Sequence, residues 1–136
     1  MNKKAGVLGI DLGTSSVKML LKYKDGTSAK IRQGYKENTP SGWWMAVKSA
    51  LAELDPEGIA AIGLTSQTGT YIVDGKEVLP WSGKEGEEEL AELKESCDGK
   101  VFIEEISMSH PDLISYPLPR LMYIKKHFPE AKKVCQ

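Results

Sequence analysis

The sequence predicts an α/β fold: a mixed sheet that carries a three-stranded antiparallel meander, with flanking helices. Three observations predict it. The first third alternates apolar and polar residues on either side of an Asp-Gly pair, the pattern of strands joined by a tight turn. Apolar residues between 41 and 54 then recur at three- and four-residue spacing, as on one face of a helix. A short apolar run at 59–65 follows, where a helical crossover would return the chain to the sheet parallel to the first strand.

Residues 6–12, Gly-Val-Leu-Gly-Ile-Asp-Leu, read as a mid-sheet strand closed by Gly13. From Ser15 to Tyr23, Val17, Met19, Leu21 and Tyr23 fall on one face and Ser16, Lys18 and Lys22 on the other, giving a second strand. Asp25-Gly26 is expected to form a type I′ turn, because both positions tolerate positive φ. Thr27, Ala29 and Ile31 alternate with Ser28, Lys30 and Arg32 as the third strand. Trp43, Trp44, Val47, Ala50, Leu51 and Leu54 form the apolar face of the helix, with Ser41 as its expected N-cap and Asp55-Pro56 as its stop. The run at 59–65, Ile-Ala-Ala-Ile-Gly-Leu-Thr, reads as a buried strand. Asp74-Gly75 joins Tyr71–Val73 to Glu77–Leu79 in a second hairpin. Glu85 to Glu95 reads as an exposed helix with Leu90 and Leu93 as a narrow stripe, and Val101–Ile103 as a strand or loop. Pro117 to Phe128 is an amphipathic helix opened by prolines and stopped by Pro129.

At 136 residues the chain reads as a single domain over 1–136, long enough for one core but too short for two lobes with a cleft between them. Lys and Arg number 18 against 19 Asp and Glu, a formal charge of −1, which removes the basic footprint that nucleic-acid binding relies on. No apolar run approaches the ~20 residues that cross a bilayer, and the stretch from Ala5 to Ile10 stops at Asp11, too short for a secretory signal. Neither membrane nor nucleic acid is expected as a partner, and a cytoplasmic location is. Cys97 and Cys135 lack C-x-x-C spacing and are expected to be reduced and structural, while His110 and His127 read as loop or surface residues.

The chemistry concentrates in Asp11-Leu12-Gly13-Thr14-Ser15-Ser16, an acid at a strand end, a glycine turn and three hydroxyls. That composition suits phosphate: glycine lets backbone N–H groups approach an anion, and hydroxyls add donors. Asp11 would hold the waters of a Mg²⁺, which takes few protein carboxylates. Lys18 could add positive charge or stand as a solvated strand lysine. An ordinary polar hairpin turn fits the same residues. Neither G-x-x-x-x-G-K-[ST] nor G-x-G-x-x-G occurs elsewhere in the chain. Thr65 to Thr70 follows the apolar run, where polar side chains at a strand's C-terminal end would meet a crevice; Gln67 offers both a donor and an acceptor there. Trp81 after Pro80 is a pocket wall or a satellite core residue, and Trp43-Trp44 reads as core.

Together, the first strand, the turn at 11–16 and the meander resemble the phosphate-1 hairpin of the actin-like ATPase superfamily. With Pro40–Leu54, the run from Ile59 to Gln67, Leu79-Pro80-Trp81 and Pro117–Glu130, they resemble in order the first lobe of the FGGY carbohydrate kinases, particularly the xylulokinase-like members. The resemblance implies a ribonuclease-H-like lobe and ATP-dependent phosphorylation of a sugar hydroxyl, with ATP, Mg²⁺, a ketose or polyol and the missing C-terminal lobe as partners. A homodimer is a further partner it allows. It gives Asp11 the metal-organising role and sets Gly13, Thr14, Ser15 and Ser16 at the phosphates. Gln67, Thr68 and Trp81 fall on the sugar side.

Departures stand beside the match. Thr68-Gly69 replaces the Met-His usual after the glutamine, and Ser82-Gly83-Lys84-Glu85 replaces a stretch in which the family carries an acid and an arginine. Family members are several times longer, and the aspartates at 25, 55, 74, 98 and 112 match no family role. No catalytic residue is therefore assigned within the chain, which is expected to be an N-terminal lobe fragment inactive alone. A second reading is another actin-like ATPase, which would share the hairpin but not the Trp-Trp helix. A third is a non-catalytic interaction module, whose exposed apolar surface a clean monomer in light scattering would argue against.

Overall fold

The alternation of the first third produces β1 (Gly6–Leu12), β2 (Ser16–Tyr23) and β3 (Ser28–Gly34), paired antiparallel in sequence. The computed structural model describes residues 5–106 and 112–136; His110 lies outside them. The turn between β2 and β3 differs from the expected type I′. Only Gly26 of the Asp-Gly pair takes a left-handed φ, 89°. Gly26 N donates to Tyr23 O at 3.1 Å and Tyr23 N to Thr27 O at 2.9 Å, so a three-residue loop with a bulge glycine closes the hairpin. The Asp25 carboxylate favours it by accepting both the Thr27 N–H, at 2.9 Å, and the Thr27 hydroxyl, at 2.6 Å.

The helix α1 (Pro40–Leu54) begins two residues earlier than Ser41 as N-cap would have it. Thr39 is the N-cap, its side chain accepting the Gly42 N–H at 3.1 Å, while Pro40 fills the first helical position. Proline there fixes φ for the helix and holds the preceding residue extended. Trp44, expected in the core, is 59% exposed. The small residues Gly42, Ala46 and Ala50 face inward instead, letting α1 lie close to β2 and β3; a Cβ at Gly42 would collide with the Glu37 carbonyl. The core joins Ala46, Val47 and Ala50 to Leu8, Val17, Met19 and Leu21. Trp43 is half-buried, its indole N–H donating to Asn38 Oδ1 at 2.9 Å.

After α1, β4 (Ile59–Ser66) pairs parallel to β1, giving the order β3-β2-β1-β4. Its expected burial is not found: Ile62 is 63% and Leu64 68% exposed. The cause is position. β4 is the sheet edge, and α1 packs on β2 and β3.

The chain divides into two compact units, Met1–Gln67 and Thr68–Gln136. In the second, β5 (Tyr71–Val73) and β6 (Glu77–Leu79) form the expected hairpin, with Asp74 at φ 49° and Gly75 at φ 71°. Among the described residues three helices follow: α2 (Glu87–Ser96), α3 (Gly99–Ile106) and α4 (Pro117–His127). Val101–Ile103 thus lies in a helix, not a strand or loop. Asp98 explains the start, its carboxylate accepting the Lys100 N–H at 2.7 Å, a local side-chain bond that favours helix initiation over strand propensity. Helix α2 is less exposed than expected: Leu90, Leu93 and even Glu89 are buried, the last with Lys126 Nζ of α4 at 3.4 Å. A short β7 (Val134–Cys135) pairs with β5 and completes the second sheet. His127 is exposed, stacked on Tyr123, and both cysteines are free thiols. No described helix is long and apolar enough to cross a membrane.

Candidate functional site

Because β1 and β4 run parallel, their C-terminal ends lie side by side. Asp11 is in register with Thr65 and Leu12 with Ser66, and the Gln67 amide donates to Leu12 O at 3.1 Å. The turn from β1 into β2 leaves the same end: Gly13 N donates to Ser16 O at 3.1 Å, and a Cβ at Gly13 would stand 3.3 Å from that oxygen. Thr14 and Ser15 are exposed on it. Ser16 is different. It is 3% exposed, the first residue of β2, and its hydroxyl accepts Arg32 Nε at 3.0 Å. The fold thus gathers Asp11, Gly13, Thr14, Ser15 and Gln67 at one end of the sheet, while the Ser16 hydroxyl is committed to β3.

Antiparallel pairing sets Lys18 opposite Asp11 and Arg32 opposite Lys18. Lys18 Nζ stands 3.3 Å from Asp11 Oδ2, with the side chains 55% and 41% exposed, a surface pair that contributes little to stability. Its interest is what it reveals of Asp11: an oxygen that already holds a cation from the solvent side. Gly9 and Gly63, in register, leave the sheet face bare next to these groups, and an open groove of about 800 Å³ runs there, bounded at one end by Asp11, Lys18, Arg32 and Thr65. The groove does not include the turn at 13–15. Burial pushes the Tyr35 hydroxyl up, and the charge of Asp11 pushes it further, so this phenol stays neutral beside the acid. Tyr35 N also donates to Ser15 O at 3.2 Å.

Hard oxygen donors of this kind, one carboxylate with hydroxyls near it, fit Mg²⁺, which keeps most of its own water. Among the described residues no group of three or more His, Cys, Asp or Glu side chains gathers to hold a metal. Asp11, its side chain 41% exposed, is the carboxylate that could hold one with water completing the shell.

In the second unit, Thr68 is exposed and Trp81 is 48% exposed. Gly69, at φ 82°, packs so closely that a Cβ would lie 2.9 Å from Ser115 Cβ and 3.3 Å from Trp81 Cβ. The Trp81 N–H donates to Thr70 Oγ1 at 3.1 Å. Arg120, fully buried, donates from Nη2 to Pro80 O at 2.6 Å and Gly83 O at 3.3 Å, and from Nη1 to Glu85 Oε2 at 2.9 Å. Burial alone would push the Glu85 carboxyl up; the hydrogen bond from Arg120, one from the backbone and the arginine charge outweigh it and hold the group below its ordinary value. The acid that this segment carries, Glu85, is thus paired with an arginine from α4.

Sequence reasoning missed Arg32, Tyr35, Thr70 and Arg120. For Arg32 a signal existed: pairing the apolar Met19 with the apolar Ile31 sets Arg32 opposite Lys18, whereas a two-residue turn would have shifted every side chain to the other face. Thr70 fell within the polar stretch expected at a crevice but was given no role of its own, and nothing in the linear sequence singled out Tyr35 or Arg120.

No protein-family model matches the chain. Curated relatives do. The chain is 29% identical over 147 residues to the xylulose kinase of Lactococcus lactis, a match covering 92% of this chain and 29% of the relative, and 27% identical over 151 residues to the xylulose kinase of Bacillus subtilis. It thus spans about three-tenths of the length of the curated relatives it matches. Among solved structures, gluconate kinase from Lactobacillus acidophilus superposes with a TM-score of 0.76 at 22% identity, over 97% of this chain and 31% of its own. The actin-like ATPase fold is therefore shared. Along nine-tenths of its length the chain is similar to proteins named as xylulose kinases, and in this it resembles the N-terminal region of the FGGY carbohydrate kinases.

Proposed function

We propose that the chain is the N-terminal lobe portion of a cytoplasmic enzyme that transfers a phosphoryl group from ATP to a hydroxyl of a ketose or polyol such as xylulose. The observation that carries this reading is the convergence of Asp11, the Gly13–Ser15 turn and Gln67 at the C-terminal ends of two parallel strands, the place where open α/β sheets bind ligands. In this reading Asp11 orients the waters of Mg²⁺, and Gly13, Thr14 and Ser15 present donors to the β- and γ-phosphates, with Lys18 adding positive charge. Ser16 supports the turn from within β2. Gln67, Thr68 and Trp81 contact the sugar. Mg²⁺, when bound, neutralises charge developing on the phosphates; the chain's residues position and exclude, which is most of what phosphoryl transfer asks of a protein. The reading assigns no general base to residues 1–136 and leaves that role to parts of the relatives that this chain does not match.

The test is Asp11→Ala in the complete gene product, assayed with ATP and xylulose. Turnover should fall by at least ~100-fold, in the range seen when one preorganised electrostatic group is removed, with the thermal transition unchanged. Unchanged turnover would sink the assignment of Asp11.

A further inference from the structure

The Pro80–Trp81 peptide is bonded at both ends. Its carbonyl accepts Arg120 Nη2 at 2.6 Å and its N–H donates to Thr70 Oγ1 at 3.1 Å. Two such bonds on one rigid plane fix its rotation and with it the direction in which Trp81 leaves the backbone. Arg120 extends the hold along the segment, reaching Gly83 O at 3.3 Å and the Glu85 carboxylate at 2.9 Å. Gly83 is what lets Glu85 fold back: a Cβ at that position would collide with the Glu85 carboxylate. Gly86 closes the segment against the base of α4, its φ of 98° straining any other residue and a would-be Cβ standing a tight 3.2 Å from Pro119 O.

The indole carried by this fixed segment is nonetheless 48% exposed. Burying an arginine completely is costly; here Nε is left without a partner among the described residues, and both terminal nitrogens are directed at one segment whose exposed feature is a tryptophan. Aromatic side chains presented on rigid backbone are preferred contacts for ligands that offer an apolar face, because little side-chain entropy remains to be lost. We infer that Arg120 is a positioning residue: it acts through the Pro80–Trp81 peptide to hold the Trp81 indole at the angle that receives the sugar. The inference rests on the reading that Trp81 contacts the sugar, and deepens it by naming what sets the geometry.

The test uses the complete gene product labelled with 5-fluorotryptophan, the Trp81 ¹⁹F resonance being assigned by its loss in Trp81→Phe. In Arg120→Lys, which keeps the charge but loses the fork, that resonance should move and broaden. The KM for xylulose should rise about tenfold, in keeping with the cost of a small misplacement, with the KM for ATP within twofold. Glu85→Gln, a milder change that leaves the carbonyl contacts, should shift both readouts in the same direction by less, and serves if the lysine variant does not fold. An unmoved resonance in whichever variants fold overturns the positioning role. The underlying reading fails separately: if Trp81→Ala leaves the KM for xylulose unchanged, Trp81 is not a sugar contact, whatever the resonance does in the arginine variant.

Discussion

A methyl group at position 69 has no space. Gly69 takes a φ of 82°, and its would-be Cβ meets Ser115 Cβ at 2.9 Å, inside any contact that real side chains make. Gly69→Ala should therefore lower stability by about 1–3 kcal/mol, the usual range for a residue forced into a left-handed conformation, and thermal denaturation of the variant would read it directly. A transition at the wild-type temperature would mean that the backbone relaxes at no cost. The same geometry leaves no space for a larger residue at position 69 on this backbone.

At the level of elements, the link between α4 and the 80–86 segment is electrostatic as well as steric, and it responds to pH. The Glu85 carboxyl is held below its ordinary value in the folded protein, so folding favours its ionised form. That stability is fully present above the unfolded value of roughly pH 4.3 and is lost as pH falls through the lower folded value. Wild type should consequently be more heat-stable than Glu85→Gln at pH 7, with the gap narrowing as pH falls below the unfolded value; a gap that does not narrow on acidification would show that the charge plays no part. Glu85 is 33% exposed, so added salt should narrow the gap as well.

The elements themselves were largely legible. The strands at 6–12, 71–73 and 77–79 fall where alternation and apolar runs set them, because period-two patterning is a property of the segment alone. What the pattern could not carry was context. Ser41 and Thr39 are both good caps, and Pro40 between them decides for Thr39. Val101–Ile103 has strand composition, yet Asp98 starts a helix there. Trp44 belongs to the apolar stripe by spacing, but Gly42, Ala46 and Ala50 allow a closer approach to the sheet than a tryptophan would. At the candidate site, Asp11, the turn and Gln67 were readable because they are contiguous with strand ends. Arg120 was not, since its partners lie 35 to 40 residues away.

For the molecule as a whole, contacts between neighbours in sequence stand beside contacts that span much of the chain. The meander joins neighbours in sequence, whereas β1 reaches β4 only after α1, and Asp11 and Thr65 stand 54 residues apart. Closing that span costs about 2 kcal/mol more in chain entropy than closing the β1–β2 hairpin, and nothing compensates until β4 is in register. The order of assembly follows: β1, β2 and β3 pair first and β4 docks last. In refolding with pulsed hydrogen-exchange labelling, β1–β2 amides should gain protection before the Gln67 amide, which is bonded to Leu12 O; simultaneous protection would refute the order. On the ribosome the sequence of events is stricter, since β4 is synthesised after the meander it completes. The nascent chain therefore carries the acid and its turn while the edge of β1 is still open, and the Gln67 tether forms as that edge closes.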